Sequence, residues 1–319
     1  MRILAMIFLA NFLAIFLHGA SDSELISKAL QFNLKPLELN KSILELENKS
    51  QIELGKKLYF DPRISDSNLI SCNTCHNLAL GGSNAIATAK PFSLNAPTIF
   101  NANFSTPNGE SSDLNALKNH IIAQITGESK ISQDSKNAQT ALVARITAIS
   151  QYVIDFKKAY GNNVNIDFEL VARSLEAFYT TLKTQSRFDD FLRGNFKALS
   201  RAEQEGLDIF IDKGCINCHS GVNLGGKWIE SSAMNGYKFA KNLRIQNGKV
   251  KIPSLRNILE TAPYLSRGQS DDLKAVIQTM TQGTISDDEV RKMEIFFEAL
   301  HGKKPNVIYP QLPISGVEQ

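Results

Sequence analysis

Two short stretches hold the residues able to do chemistry. They are Cys72-Asn73-Thr74-Cys75-His76 and Cys215-Ile216-Asn217-Cys218-His219, and between them they use all four cysteines of the chain. Two thiols separated by two residues, with an imidazole directly after, form the attachment pattern of a c-type haem. On one turn of chain both sulfurs can reach the vinyl groups of a porphyrin. The adjacent histidine is then aimed at the iron as its proximal ligand. The sequence therefore predicts two covalently bound haem c groups, held through Cys72, Cys75, Cys215 and Cys218, with His76 and His219 on the irons. Two other readings compete. A zinc site of the ribbon type keeps its cysteine pairs close together, whereas these pairs are far apart and each has its own histidine. A thioredoxin-type disulfide expects a βαβ setting, and none is visible.

The surrounding elements read as helices and loops. Apolar spacing predicts helices over 22–32, 53–60, 113–127, 139–150, 152–160 and 167–182. Asp61-Pro62 stops the second of these ahead of the first motif. A turn over 40–46 is weaker. In the second half, Ser200 with Glu203 and Ser286 with Glu289 form capping boxes that open helices. The first of these delivers the chain to Cys215, and a further helix spans 271–280. Residues 77–100 and 221–250 carry glycine, proline and little periodicity, which fits loops wrapped around a cofactor. No alternating run is long enough for a sheet. The expected class is mainly α, with two tandem cytochrome-c-like domains and long cofactor-wrapping loops. The expected divisions are 1–20, a signal peptide; 21–186, the first haem domain; 187–302, the second; and 303–319, an extended tail. Residues 187–194 lie at the junction.

With 319 residues, 43% apolar and 21% charged, the chain has enough material for two domains with real cores. A formal charge of +3 and the lack of a basic stripe give no sign of nucleic-acid binding. The first residues differ in kind. Met1 and Arg2 precede an apolar run from Ile3 to Leu17, and small residues follow near Ala20. This is the pattern of a cleaved secretory signal, the run being short for a membrane anchor. It predicts export to a periplasm-like space.

Several separated segments resemble the bacterial dihaem cytochrome c peroxidases and their MauG-like relatives. They are Leu54-Gly55-Lys56-Lys57-Leu58-Tyr59-Phe60-Asp61-Pro62-Arg63, Asn95-Ala96-Pro97-Thr98, Phe188-Asp189-Asp190-Phe191-Leu192-Arg193-Gly194, Lys213-Gly214, Ile252-Pro253-Ser254-Leu255-Arg256-Asn257 and Thr261-Ala262-Pro263-Tyr264. The resemblance spans about residues 50–300. It implies reduction of hydrogen peroxide at the first haem, with electrons delivered through the second by a small carrier such as a cytochrome c. It also implies that Met280 is the distal ligand of the second iron. The competing reading makes Met280 a core residue on one face with Leu273 and Ile277. The resemblance further implies a calcium ion between the domains, held by the Asn95 side chain and the backbone oxygens of Thr261 and Pro263. Otherwise those residues simply form turns. A homodimer is left open.

The sequence departs from that family in three places. The loop 77–100 has no histidine to serve as a removable distal ligand. His120, on the apolar helix before Gly127, is the residue that could face the first haem; otherwise it is structural. The family's tryptophan between the haems has no counterpart in Thr106-Pro107-Asn108-Gly109-Glu110. The acid–base glutamate is matched loosely by Glu128, with Gln124 as a hydrogen-bonding alternative; an exposed helix-end carboxylate is the competing reading. Two further functions stay open. One is a MauG-like oxidase, against which Met280 argues because a tyrosine usually stands there. The other is an electron carrier without peroxide chemistry.

Overall fold

The computed structural model describes residues 22–38, 48–83, 95–105, 121–122, 125, 133–243 and 245–314. Helices dominate the regular structure. They are α1 (22–31), α2 (Lys49–Phe60), α3 (Cys72–Cys75), α4 (Gln133–Thr147), α5 (Ser150–Tyr160), α6 (Phe168–Tyr179), α7 (Arg187–Leu192), α8 (Arg201–Asp212), α9 (Leu273–Met280) and α10 (Asp287–Ala299). Both expected capping boxes are present at the starts of α8 and α10. Helix α2 begins earlier than apolar spacing suggests, because Asn48 and Gln51 close a capping box of their own. The 113–127 helix lies outside the described residues except for Ile121, Ile122 and Ile125, which pack into the first core. The leader and the 40–46 turn also lie outside them.

One packing unit is used twice. In the first half α2 crosses α6; in the second α8 crosses α10. Each crossing has a glycine at its contact point. A Cβ on Gly55 would stand 1.7 Å from the Ser174 carbonyl oxygen, and one on Gly206 would stand 2.1 Å from that of Lys292. Beyond each glycine an aromatic ring wedges against two more. Tyr59 meets Phe178 and Tyr179 at centroid distances of 5.2 and 5.8 Å, while Phe210 meets Phe296 and Phe297 at 5.7 and 6.3 Å. Around the first crossing gather α4 and α5, with Leu142, Ile146, Tyr152 and Phe156 buried. Around the second gather α7 and α9, with Phe188, Phe191, Leu273 and Ile277 buried.

The chain ends exchange partners. Helix α1 belongs to the second core through Ile26 and Ala29, and Lys28 pairs with Asp208 and Asp212 of α8 at 2.5 and 2.6 Å. The tail returns to the first core through Val307 and Leu312. There the Tyr309 ring lies 4.5 Å from that of Phe60, and Arg63 donates to the Pro313 carbonyl at 2.8 Å.

The expectation of no sheet is corrected. Strands β1 (Trp228–Glu230), β2 (Ile245–Gln246) and β3 (Lys249–Lys251) form an antiparallel sheet in the order β1-β3-β2. Its hairpin turns on Asn247 and Gly248, both at positive φ (50° and 76°). An Asn-Gly pair between short strands favours this turn, since both residues tolerate the left-handed region. The strands are too short to show alternation, so that pair was the only local signal.

Candidate haem sites

The first motif is one turn of α-helix, Cys72–Cys75, and His76 closes it by donating its backbone N–H to the Cys72 carbonyl at 2.9 Å. The His76 Nδ1 lies 2.9 Å from the Pro97 carbonyl oxygen. A proton on Nδ1 satisfies that oxygen and leaves Nε2 with the lone pair that a metal needs. Burial holds the His76 pKa below its ordinary value, with the Lys251 ammonium adding a smaller push in the same direction. Lys251 belongs to β3 of the second half. Two hydroxyls support the motif: Tyr59 donates to the His76 carbonyl, and Tyr179 reaches the Cys72 thiol. Burial pushes that thiol up to about 12.

The second motif folds differently. Gly214, at φ 77°, leads into a 3-10 turn over Cys215–Asn217, and His219 donates its N–H to the Cys215 carbonyl at 2.8 Å. The His219 Nδ1 lies 3.1 Å from the Leu224 carbonyl. Leu224 sits at φ 45°, a region costly for a leucine, beside Gly225 and Gly226, also at positive φ. That backbone turns the Leu224 carbonyl onto the histidine. Burial pushes the His219 pKa down to about 4, so the ring is neutral and able to bind a metal at physiological pH.

Behind each histidine runs a matching segment. Pro97-Thr98-Ile99-Phe100-Asn101 stands behind His76, and Pro253-Ser254-Leu255-Arg256-Asn257 behind His219. Thr98 Oγ1 donates to the Gly81 carbonyl at 2.6 Å, and Ser254 Oγ to that of Asn223 at 2.9 Å. Asn101 and Asn257 both adopt left-handed φ (60° and 57°) and open 3-10 turns. Their amides both donate to Thr184 Oγ1, at 2.8 and 2.7 Å. Thr184 therefore joins the two segments at the seam between the halves. The match breaks at one position. Phe100 is a buried ring, whereas Arg256, 1% exposed, forms a two-pronged ion pair with Asp189 at 2.9 and 2.6 Å. For Asp189, burial alone would raise the carboxyl; the Arg256 guanidinium and backbone N–H groups outweigh it and hold the pKa below the usual range.

The other sequence candidates fall as follows. Met280 ends α9 half-buried and outside the second core, whereas its helix neighbours Leu273 and Ile277 lie within it. Asn95 is drawn to the 263–266 turn. Its Nδ2 donates to the Pro263 and Leu265 carbonyls at 2.5 and 3.3 Å, and its backbone N–H to Ser266 at 3.0 Å. Were the amide turned over, its oxygen would join the Pro263 and Leu265 carbonyls in an oxygen set of the kind a hard cation takes. Thr261 caps the preceding 3-10 turn over Ile258–Glu260, its hydroxyl donating to the Ile258 carbonyl. His120, Gln124 and Glu128 lie outside the described residues. Sequence reasoning missed Tyr59, Tyr179 and Lys251 as neighbours of the first motif. Nothing local marks them, because each is brought there by tertiary packing.

The donor sets suit haem c: paired thiols on one turn, and an imidazole whose second nitrogen is fixed by a backbone carbonyl. Among the described residues no cluster of three or more histidine, cysteine or acidic side chains could hold a metal ion, and no helix is long and apolar enough to cross a membrane.

Comparison with known proteins gives a consistent picture. Residues 49–197 match the family model described as di-haem cytochrome c peroxidase. The cytochrome c551 peroxidase of Pseudomonas aeruginosa is 33% identical over 84% of this chain and 83% of its own length. The methylamine utilization protein MauG of Methylorubrum extorquens is 26% identical over 82% and 81%. Among solved structures, a MauG-like protein associated with microbial copper homeostasis shares the fold with a TM-score of 0.60, at 21% identity over 81% of this chain and 91% of its own. The diheme peroxidase BthA of Burkholderia thailandensis does so at 0.57 and 14% identity, over 84% and 89%.

Proposed function

The chain belongs to the di-haem cytochrome c peroxidase family, and from that premise we propose that it is an exported enzyme that reduces hydrogen peroxide to water with electrons from a small carrier such as a cytochrome c. The observation that carries the reading is the pairing of two C-x-x-C-H turns, each with its histidine Nδ1 tied to a backbone carbonyl. Two domains, one around each crossing of helices, hold the two groups. The haems supply reversible one-electron storage and, where a coordination position is open, the site at which the peroxide bond is cleaved. The chain's residues do the rest. His76 and His219 serve as proximal ligands with fixed tautomers. Met280 would hold the second iron through its thioether, which would reserve that site for electron entry and leave peroxide to the first. Its half-buried place outside the core supports this over a packing role.

Peroxide cleavage also needs a proton moved from one oxygen to the other, a step that general acid–base help accelerates by roughly a hundredfold to ten-thousandfold. Glu128 is assigned that role, with Gln124 as a hydrogen-bonding alternative and His120 as the side chain that could close the first iron. Calcium, held by Asn95, Thr261 and Pro263, would tie the first motif's loop to the 263–266 turn. Export to the periplasm follows from the leader sequence.

The test is peroxide-dependent oxidation of reduced cytochrome c by the purified protein carrying both haems, followed by the same assay on Glu128→Gln. Turnover that falls at least a hundredfold in the variant supports the assignment. Absence of turnover in the unaltered protein, with both haems present, removes the peroxidase reading.

A further inference from the structure

The repeat of the two halves exposes one residue that lacks the partner its counterpart has. Asn101 donates its backbone N–H to the Leu182 carbonyl and accepts through Oδ1 from the Thr184 N–H, at 2.8 and 2.9 Å. Asn257 makes the same pair of bonds to Leu300 and Gly302, at 3.2 and 2.8 Å. Leu182-Lys183-Thr184 is therefore matched to Leu300-His301-Gly302, and Lys183 stands where His301 stands in the other half. Three residues beyond each asparagine come Phe104 and Glu260.

In the second half a carboxylate faces the side chain at this position. His301 Nε2 lies 3.5 Å from Glu260, whose other oxygen lies 2.9 Å from Lys304 Nζ. In the first half the carboxylate is replaced by a ring. Lys183 Nζ stands 5.7 Å from the centroid of Phe104, and among the described residues it has no hydrogen-bond partner although the residue is only 8% exposed. The ring face offsets part of the cost of burying an ammonium but supplies no acceptor for its protons. Burial accordingly pulls the Lys183 pKa down.

Further unpaired polar atoms surround the same segment. Asn103, fully buried beside Phe104 in the chain, has neither its Oδ1 nor its Nδ2 paired. Asn223 donates to the Asn101 carbonyl and to Ser105 Oγ, at 3.0 and 3.1 Å, and its Oδ1 is left over. Buried polar groups of this kind are rare, and several around one segment mark the place of a polar ligand. Phe104 packs with Val222, in the loop that follows His219, so the place adjoins the second motif.

We propose that Lys183 is the seat of a carboxylate belonging to the haem held by the second motif, with Asn103 as the neighbouring amide. The haem acid takes the position that Glu260 occupies in the other half. A cation held there favours the reduced, less positive iron and so raises that haem's potential, which suits the site at which electrons enter. The inference rests on the two-haem reading above.

The experiment is a spectroelectrochemical titration of the protein carrying both haems, without peroxide, comparing wild type, Lys183→Met and Lys183→Arg. In Lys183→Met the redox equilibrium of the second haem should shift three- to tenfold toward the oxidised form, or about 30 to 59 mV lower. Lys183→Arg should restore most of the shift. The inference is overturned by unchanged potentials in a Lys183→Met protein that has become more stable, the result expected of an amine that was simply left unpaired. A shift confined to the first haem also overturns it. So does loss of the Lys183→Met shift in a Glu110→Gln or Asp113→Asn background, which would place the carboxylate in the chain. Wild-type potentials that follow phosphate or chloride concentration at constant ionic strength would show a free anion instead, and equally overturn it. Mass measurement of haem content keeps the two readings apart: protein with fewer than two haems sinks the two-haem premise, whereas intact protein with unmoved potentials sinks only the role of Lys183.

Discussion

The two halves use the same scaffold for unlike ends. Each crosses two helices at a glycine, wedges three aromatic rings beyond it, and sets a Pro-to-Asn segment behind the histidine. The differences fall where the cofactors would be touched. The first half has Tyr59 and Tyr179, whose hydroxyls reach His76 and Cys72. The second has Phe210 and Phe297 at the matching positions, and its histidine is held by a strained leucine carbonyl instead. The first half buries Phe100; the second buries Arg256 against Asp189. Packing is shared because any helix pair around a haem needs it. The polar contacts diverge at the histidines and cysteines themselves.

The sharpest way to break the comparison is at Arg256. Arg256→Ala leaves Asp189 buried without its cation and should cost about 3–5 kcal/mol. Phe100→Ala, at the matching position, leaves a cavity and should cost a similar amount, about 3–5 kcal/mol, but only the Arg256→Ala loss should be relieved when Asp189→Asn is added, as read from urea midpoints.

Gly55→Ala and Gly206→Ala come next. Each places a methyl group inside contact distance of a backbone oxygen and should cost about 1–3 kcal/mol, since helix backbones yield only in part. Denaturation of both variants checks whether the crossings are equivalent. One variant falling far more than the other would show that they are not.

Exchanging the hydroxyls has a smaller effect. Tyr59→Phe removes a single donor to the His76 carbonyl and should cost about 0.5–1.5 kcal/mol. Phe210→Tyr should be no gain at all, because that ring is fully buried among Phe296 and Phe297. Thermal melts of the pair measure the asymmetry directly.

The smallest effect is in pH. Among the described residues, Asp61 in the first half and Asp189 and Glu203 in the second are buried carboxylates with lowered pKa values. For Asp61, burial raises it, and Arg63 and Tyr152 more than compensate; Asp189 is held down by Arg256. A carboxyl lowered on folding contributes stability that is complete above its unfolded value, 3.8 here. That contribution is lost as pH falls through the lower folded value. Stability should therefore be flat with respect to these groups near neutrality and decline below about pH 4. Asp189→Asn should flatten that acid limb, as read from urea midpoints along a pH series.

Much of this was legible in the sequence. The doubled C-x-x-C-H, the two serine capping boxes and the strong helix before Leu182 rest on local patterns, and local patterns survive folding. The Asn247-Gly248 hairpin was also locally encoded, but strands of two and three residues carry no periodicity to go with it. The remainder was out of reach for a different reason. Nothing local distinguishes Lys183, and only the meeting of segments distant in the chain buries it. Asp189 and Arg256 sit in two motifs that had no visible reason to be linked. The structure supplies it as a single buried ion pair.

The exchange of chain ends has a consequence for the order in which the protein is made. Helix α1 precedes the other described helices, yet it must wait for α8 before it can bury Ile26 and Ala29. The first helix crossing can form early, but Val307, Leu312 and the ring of Tyr309 reach it only after α7 to α10 have been made. The half that begins the chain is thus the last to be closed. Neither half is a separable module, and a chain cut between them would leave each holding a piece of the other.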